Sequence, residues 1–355
     1  MLACGLAAAA CGKAPGGAGG AASSSNSANV PKAKTDFTAC MVTDTGGIND
    51  RSFNASAWAG MQAAQKAGKA NVRYVQSNAE NDYVPNINGL EKSDCKLIVT
   101  VGGLMAQATT NASKTDSKQH FAIVDSNGNG KNVQGLQFNT AQAGFLGGYL
   151  AAGYTKTGKV ATFGGSKIPP VTIYMDGFAE GVHYYNSVKH KHVQVLGWNE
   201  ASQNGSFTGS FTDQTKGRQI ADNFLQQGAD VIYPVAGGSG LGGAASVAAS
   251  KGKAVAIWVD TDGCKSAKQY CSSFLTTTYK NVDNAVEHSI DSAAGGTFAT
   301  KDYIGTLANG GVGLSPFHDF ANKVPQQLQK ELKALKAQII AGKIKITSPS
   351  QPKSS

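Results

Sequence analysis

Short apolar runs alternate with amphipathic segments through most of the chain, and this alternation predicts parallel β-strands joined by helices. In the first half the apolar runs lie near residues 37–42, 72–76, 97–101, 121–124 and 133–138. Between them, apolar residues recur at helical spacing near 49–66, 84–91 and 106–113. The first half therefore predicts one doubly wound α/β lobe.

The same pattern restarts after a helix over 141–154 that ends at Thr157-Gly158. Strands are predicted near 160–163, 193–196, 231–235 and 255–259, with helices over 174–186 and 213–226. Further apolar runs follow near 274–279 and 303–307, with helices over 282–293 and 324–339. We expect lobe 1 at 36–157, completed from 282–320, lobe 2 at 158–281, completed from 321–348, and a tail at 349–355.

Composition fits a soluble globular protein of two domains. The 355 residues are 41% hydrophobic, and no apolar run approaches the roughly 18 residues that a membrane span needs. The net charge of +9 is concentrated at the carboxyl end, because residues 321–355 hold seven lysines and one glutamate. The remainder is nearly balanced, which argues against a nucleic-acid partner.

The first 35 residues predict an export and anchoring segment. Small residues precede Cys11 and Gly12 follows it, as at a lipoprotein cleavage site. From Lys13 to Lys34 the composition is typical of a flexible tether. We expect a lipid on Cys11 and an extracytoplasmic protein anchored to the cell membrane. An Ala-rich tail with an incidental cysteine is the alternative.

Four further cysteines suit an oxidising compartment. Cys264 and Cys271 flank a short loop that one disulfide would close. Cys40 ends the first strand and Cys95 precedes another strand of the same half, so a second bridge is compatible with the pattern. Zinc is the competing interpretation, but no C-x-x-C spacing occurs, and we expect no metal.

Carboxylates follow several predicted strands. Asp44 follows the first, Asp125 the fourth, and Asp260 the strand near 255–259. Ligands of open α/β sheets bind outside the carboxyl ends of the strands, so these positions predict a binding site. Aspartates there also cap loops and helices, and that role remains open for each residue.

Two motifs and one residue pair are distinctive: Thr43-Asp-Thr-Gly-Gly-Ile-Asn-Asp-Arg-Ser-Phe-Asn54, Asp230-Val-Ile-Tyr-Pro-Val-Ala-Gly-Gly238, and Asp260 with Lys280. They resemble the basic membrane protein family, the substrate-binding lipoproteins of ABC importers that include the purine nucleoside receptor A type. The resemblance covers residues 37–348. It implies a type I periplasmic-binding-protein fold, two lobes joined by a hinge, with a nucleoside such as guanosine, inosine or adenosine held between them and ABC permease subunits as partners.

The resemblance also implies roles for individual residues. Phe53 would stack on the base, Asp125 would bind the base edge, and a second aromatic would be Phe211, with Phe207 as its rival. The remaining implied ligand-binding residues are Asp44, Asn49, Asp50 and Asn54 around the first loop, and Gly237, Asp260 and Lys280 around the ribose.

Chemistry supports these roles independently. Two aromatic faces can enclose a base, and a carboxylate beside a lysine can bind vicinal hydroxyls. Asp125, as an ionised acceptor, prefers a base edge that carries donors, such as the N1–H and amino group of guanine. Phe53 also falls on the apolar stripe of its helix, so a purely structural role is the alternative.

Other functions fit the sequence less well. The paired glycines at 46–47, 102–103, 237–238 and 242–243 lack the P-loop pattern, which favours an unphosphorylated ligand. His183, His190 and His192 lack a matching nucleophile elbow, so we expect no catalysis and no cofactor. A monomeric nucleoside receptor is the interpretation we adopt; a sugar-binding receptor of the same fold, a sensory module and a nucleoside-acting enzyme are the alternatives.

Overall fold

The computed structural model describes residues 32–352. Its strands in chain order are β1 (Thr38–Thr43), β2 (Asn71–Val75), β3 (Leu97–Val101), β4 (His120–Val124), β5 (Val133–Phe138), β6 (Lys159–Gly164), β7 (Gln194–Leu196), β8 (Trp198–Asn199), β9 (Asn204–Gly205), β10 (Val231–Val235), β11 (Val255–Asp260), β12 (Phe274–Lys280), β13 (Tyr303–Gly305) and β14 (Val312–Leu314). Its α-helices are α1 (Phe53–Lys66), α2 (Tyr83–Glu91), α3 (Ala106–Thr115), α4 (Thr140–Tyr154), α5 (Pro169–Lys189), α6 (Gln214–Gln226), α7 (Gly237–Ala249), α8 (Gly263–Ser266), α9 (Val282–Ala294) and α10 (Gln326–Ile340).

The larger strands form two six-stranded sheets, which define the first and second lobes. The first sheet has the order β13-β5-β4-β3-β1-β2, and all its neighbours are parallel. The second has the order β14-β12-β11-β10-β6-β7 and is parallel apart from the edge pair β12–β14. Because chain order reverses within each sheet, both are doubly wound, and the predicted two-lobed α/β fold is confirmed.

Helix α4 lies in the second lobe, whereas we expected it in the first. It packs against α5 and against β12 and β14 of the second sheet. The contact with α5 is close because glycines replace side chains there: a Cβ on Gly148 would lie 2.0 Å from the Phe178 carbonyl oxygen. The chain therefore leaves the first lobe after β5, about twenty residues before the boundary that we expected at residue 157.

The chain after β12 passes back and forth between the lobes. Helix α9 packs against α1 in the first lobe, and β13 extends the first sheet. Strand β14 then extends the second sheet, and α10 packs on α4. Residues beyond 281 thus complete both lobes.

Helix α7 was not predicted, because its Gly-Gly-Ser-Gly-Leu-Gly-Gly start has low helix propensity. Its glycines instead permit close packing on α6. A Cβ on Gly242 would lie 1.9 Å from the Gln214 carbonyl oxygen. Tertiary packing here outweighs local propensity.

Two disulfides are present among the described residues, Cys40–Cys95 and Cys264–Cys271. The first joins β1 to the residues before β3, and the second closes the loop after β11. Within residues 32–352, none of the helices combines the length and apolar character that crossing a bilayer requires. The expected lipidation site Cys11 lies outside the described residues.

Candidate functional site

The carboxyl ends of strands from both sheets face each other across a small cavity. The first lobe contributes residues that follow β1, β3 and β4, and the second contributes residues at the ends of β10, β11 and β12. All the predicted binding residues except Asn49 line this cavity. Asn49 is exposed, because its loop turns outward before α1 begins.

Two aspartates occupy matching places in the two lobes. Asp125 directly follows β4, and Asp260 is the last residue of β11. Both adopt left-handed backbone conformations, with φ of 63° and 67°. Asp is among the few non-glycine residues that enter this region readily. The turn at each strand end thus places one carboxylate in the cavity wall.

Lys280, the last residue of β12, connects these two carboxylates. Its ammonium group forms an ion pair with Asp125 and lies 3.6 Å from Asp260 Oδ1. It also lies 4.4 Å from the centroid of the Phe53 ring. We expected Lys280 to accompany Asp260; its nearest carboxylate is that of Asp125, in the other lobe. One buried cation therefore holds carboxylates from both lobes together.

The pKa values of this cluster reflect burial opposed by pairing. Burial raises the pKa of Asp125, although the charge of Lys280 counteracts part of the increase. Burial alone would lower the pKa of Lys280, but the charges of Asp125 and Asp260 outweigh it and raise that pKa. Lys280 therefore stays protonated.

Asp260 receives hydrogen bonds from both lobes. Ser52 Oγ donates to Asp260 Oδ2 at 2.5 Å from the first lobe, and Tyr174 OH donates to Asp260 Oδ1 at 3.3 Å from the second. Burial raises the pKa of Tyr174 well above its ordinary value, so the phenol remains a donor. Neither donor was predicted from the sequence. Ser52 lies inside the Thr43–Asn54 motif, and Tyr174 lies on a helix face whose sequence is typical of a hydrophobic core.

Asp44 and Asn54 form an acceptor pair on the first lobe. Asp44 Oδ1 accepts from the Gly46 backbone N–H at 2.9 Å and from Asn54 Nδ2 at 2.7 Å. This contact fixes the amide orientation, and Asn54 Oδ1 is buried without a hydrogen-bond partner among the described residues. Burial raises the pKa of Asp44 to about 6, although those two hydrogen bonds lower it.

Gly102 closes the wall behind this pair. Its φ is 123°, and a Cβ at this position would lie 2.9 Å from Asp44 Oδ2. Only glycine fits both the backbone conformation and the space. At Gly102, glycine therefore permits a close contact between the backbone and Asp44.

Asp50 lines the cavity but uses its oxygens as a helix cap. It accepts from the backbone N–H groups of Ser52 at 3.0 Å, Asn54 at 2.8 Å and Ala55 at 3.1 Å. Burial raises its pKa to about 7 despite these bonds. These contacts fix the start of α1, the helix that carries Phe53.

Two aromatic rings line the cavity from different lobes. Phe53 is the first residue of α1, and Phe211 precedes α6. Both are half-buried. The rival Phe207 instead packs against Trp198, with ring centroids 6.0 Å apart, and beside Gly164. Of the two candidates, Phe211 is the one in the cavity wall.

Comparison with known proteins gives a consistent picture. The family model Bmp, described as ABC transporter substrate-binding protein PnrA-like, matches residues 37–350. The chain is 33% identical over 335 residues to the ABC transporter nucleoside-binding protein BmpA of Lactococcus lactis subsp. cremoris, covering 89% of this chain and 91% of that protein. It is 35% identical over 358 residues to the CD4+ T-cell-stimulating antigen of Listeria monocytogenes, covering 95% and 94%.

A solved structure resembles the whole fold. The solute-binding protein of an ABC transporter system from Aeropyrum pernix K1 matches with a TM-score of 0.79 and 25% identity, covering 88% of this chain and 94% of that one. The similarity of fold therefore extends over both lobes.

Proposed function

Since this chain belongs to the Bmp family of PnrA-like ABC transporter substrate-binding proteins, we propose that it captures a nucleoside in the cavity between its lobes and delivers it to a permease. The observation that carries the proposal is the pair Phe53 and Phe211, one aromatic ring from each lobe on the cavity wall. A relative at 33% identity bears the name nucleoside-binding protein. A flat apolar base is the ligand part that such a pair favours.

The base edge meets the acceptors of the first lobe. Asn54 Oδ1 is buried and unpartnered among the described residues, and Asp44 Oδ2 faces the Gly102 backbone beside it. Together with Asp125 they supply acceptors and no donor of their own in the ionised state. They favour a base that offers N–H groups, such as guanine or hypoxanthine. A buried acceptor left without such a donor costs about 1–3 kcal/mol, which gives selectivity for these bases.

The ribose meets the second lobe. Asp260 and Lys280 supply an acceptor and a donor for its hydroxyls, and Gly237 allows the backbone to approach. Gly237 has a φ of 51°, a conformation that favours glycine. Because ligand groups contact both lobes, binding stabilises the closed arrangement about the hinge. Hydroxyls that bind here share Asp260 with Ser52 and Tyr174.

A receptor suits this cavity better than an enzyme. Its described lining holds carboxylates and a lysine, but no histidine, cysteine, serine or threonine. The Lys280 ammonium lies between Asp125 and Asp260, so these two carboxylates are already paired with a cation of the protein itself. The proposed receptor lies outside the cell and is anchored to the membrane by a lipid on Cys11.

A thermal-shift panel tests the proposed ligand class. Guanosine, inosine, adenosine, uridine, the free bases, ribose and a nucleoside monophosphate are compared at equal concentration. A ligand at about 100 times its dissociation constant adds about 2.7 kcal/mol of stability. Nucleosides should raise the melting temperature, whereas ribose and the nucleotide should change it little. A shift with ribose equal to that with guanosine would favour the sugar-binding receptor instead.

A further inference from the structure

Four side chains with metal-binding chemistry meet on the second lobe, outside the cavity. One carboxylate oxygen of Asp262, Cys264 Sγ and a ring nitrogen of His318 all lie within 4.8 Å of one another. Cys271 Sγ is bonded directly to Cys264 Sγ. Two sulfurs, one imidazole and one carboxylate thus share one small volume.

Different segments bring these residues together. Asp262 precedes the short helix α8 and accepts from the Cys264 backbone N–H at 3.1 Å. His318 follows β14, whose pairing with β12 places it beside this loop. His318 Nε2 lies 2.9 Å from Asp262 Oδ2 and 3.0 Å from Oδ1. The imidazole and the carboxylate are therefore already in position beside the two sulfurs.

We propose that reduction of the Cys264–Cys271 disulfide converts this cluster into a binding site for Zn²⁺, with Cys264, Cys271 and His318 as ligands and Asp262 as the fourth. A thiol or phosphine reductant supplies two electrons, the S–S bond breaks, and two protons complete the thiols. Zn²⁺ then displaces both thiol protons to solvent and binds the thiolates.

The geometry suits tetrahedral zinc. Zn–S bonds of about 2.3 Å and Zn–N bonds of about 2.0 Å place the ligand atoms roughly 3.3 to 3.8 Å apart. The oxygen and nitrogen lie slightly closer than this, and the sulfurs have only to separate from their covalent bond. The thiolates and imidazole are also the donors that zinc prefers.

Exposure determines which disulfide opens first. Cys40 and Cys95 are buried, at 0% and 4% exposure. Cys264 and Cys271 are partly exposed, and so are the side chains of His318 and Asp262, at 29% and 13%. Because thiol–disulfide exchange depends on access, a mild reductant should open Cys264–Cys271 and leave Cys40–Cys95 intact.

The loop after β11 would thus have two interchangeable closures. The disulfide closes it under oxidising conditions, and Zn²⁺ closes it under reducing conditions. This loop begins just after Asp260, so either closure supports the backbone beside the cavity. The inference does not depend on which ligand that cavity binds.

The test uses the full chain, reduced with a phosphine until alkylation and mass spectrometry show Cys264 and Cys271 free and Cys40–Cys95 bonded. Zn²⁺ is then titrated, with Co²⁺ as a spectroscopic probe. We expect one Zn²⁺ per chain, a sulfur-to-cobalt charge-transfer band, and no tight binding to the oxidised protein. His318→Ala and Asp262→Asn should each weaken Zn²⁺ binding by at least about 10- to 100-fold, the loss that removing even an outer-shell partner of a ligand causes.

Asp319→Asn is the matched control, because Asp319 is an exposed carboxylate next to His318. It should bind Zn²⁺ like the wild type. The inference is overturned if the reduced wild type binds no Zn²⁺, or if His318→Ala and Asp262→Asn both bind it as tightly as the wild type does. Either result is independent of the nucleoside panel, because that panel is measured on the oxidised protein.

Discussion

Lys280 in the second lobe forms a buried ion pair with Asp125 in the first. Each residue lies at the carboxyl end of its strand, and the ammonium group also lies 4.4 Å from the centre of the Phe53 ring. A base that stacks on Phe53 must therefore share that ring face or move the cation. Lys280 therefore joins the two lobes at the surface where we propose that the base stacks.

Replacing Lys280 by Met should destabilise the protein. Asp125 and Asp260 would then lie buried without their cation, and breaking a buried pair in this way costs about 3–5 kcal/mol. Without Lys280 the pKa of Asp125 should rise further. When folding raises the pKa of an acid, the protein loses stability as the pH rises. The loss of unfolding free energy in Lys280→Met should therefore be larger near pH 8 than near pH 5.

Urea unfolding of Lys280→Met at those two pH values measures the effect. The double variant Lys280→Met/Asp125→Asn should recover part of the loss, because it removes one unpaired charge. Lys330→Met, at an exposed position on α10, is the control and should unfold like the wild type. Unfolding of Lys280→Met at the wild-type urea concentration would show that the pair does not stabilise the fold.

Replacing Asp260 by Asn should weaken nucleoside binding. Asn accommodates the left-handed backbone at this position but offers one acceptor in place of two. Losing a charged hydrogen bond to a ligand costs about 1.5–3 kcal/mol, or about a 10- to 150-fold loss of affinity. Calorimetry measures it, with Asp262→Asn, two residues along and outside the cavity, as the control. Equal affinities for wild type and Asp260→Asn would remove Asp260 from the proposed site.

Binding should also depend on pH through Asp44. Burial raises the pKa of this carboxyl to about 6. A base N–H donates better to the ionised form, so affinity should fall as the pH drops below about 6, by at most about tenfold per unit. In Asp44→Asn this dependence should disappear. A wild-type affinity that stays constant between about pH 5 and about pH 7 would contradict a hydrogen bond from the ligand to Asp44.

The free energy of unfolding should change with pH in the opposite direction to the affinity, because of the same raised pKa of Asp44. The folded pKa of Asp44 exceeds its ordinary value of 3.8, so the folded state binds more protons between about pH 4 and pH 6. Stability from this group is therefore lost as the pH rises through that window, by about 3 kcal/mol at most. Asp44→Asn should reduce the dependence of the unfolding free energy on pH. The dependence that remains should be due to Asp50, whose pKa is raised to about 7. An unchanged slope in this variant would refute the raised pKa.

Much of the fold follows from apolar periodicity. Apart from the short edge strand β14, which was not predicted, the strands of both sheets lie within a few residues of the predicted runs, because buried parallel strands leave continuous apolar segments. The position of α4 could not be predicted, since its apolar surface suits either lobe. Its assignment depends on glycines of α4 and α5 that meet only in three dimensions.

The residues that line the cavity were largely predicted, but several of their contacts were not. Asp44, Asp125 and Asp260 line it because the carboxyl ends of parallel strands converge. The hydrogen bonds from Ser52 and Tyr174 to Asp260 were missed, as was the pairing of Lys280 with Asp125. The Ser52 and Lys280 contacts depend on how one lobe meets the other, which local sequence does not specify. Asn49 shares a loop with Asp50, but the turn of that loop leaves it exposed.

The central claim is that a nucleoside base lies between Phe53 and Phe211. Calorimetric titration of guanosine into the wild type, Phe53→Leu and Phe211→Leu tests it most directly, because leucine retains apolar volume and removes the aromatic face. Each variant should lose about 1–3 kcal/mol, or about 5- to 150-fold in affinity. Phe207→Leu, the matched control outside the cavity, should bind like the wild type. Wild-type affinity in both Phe53→Leu and Phe211→Leu would contradict the claim.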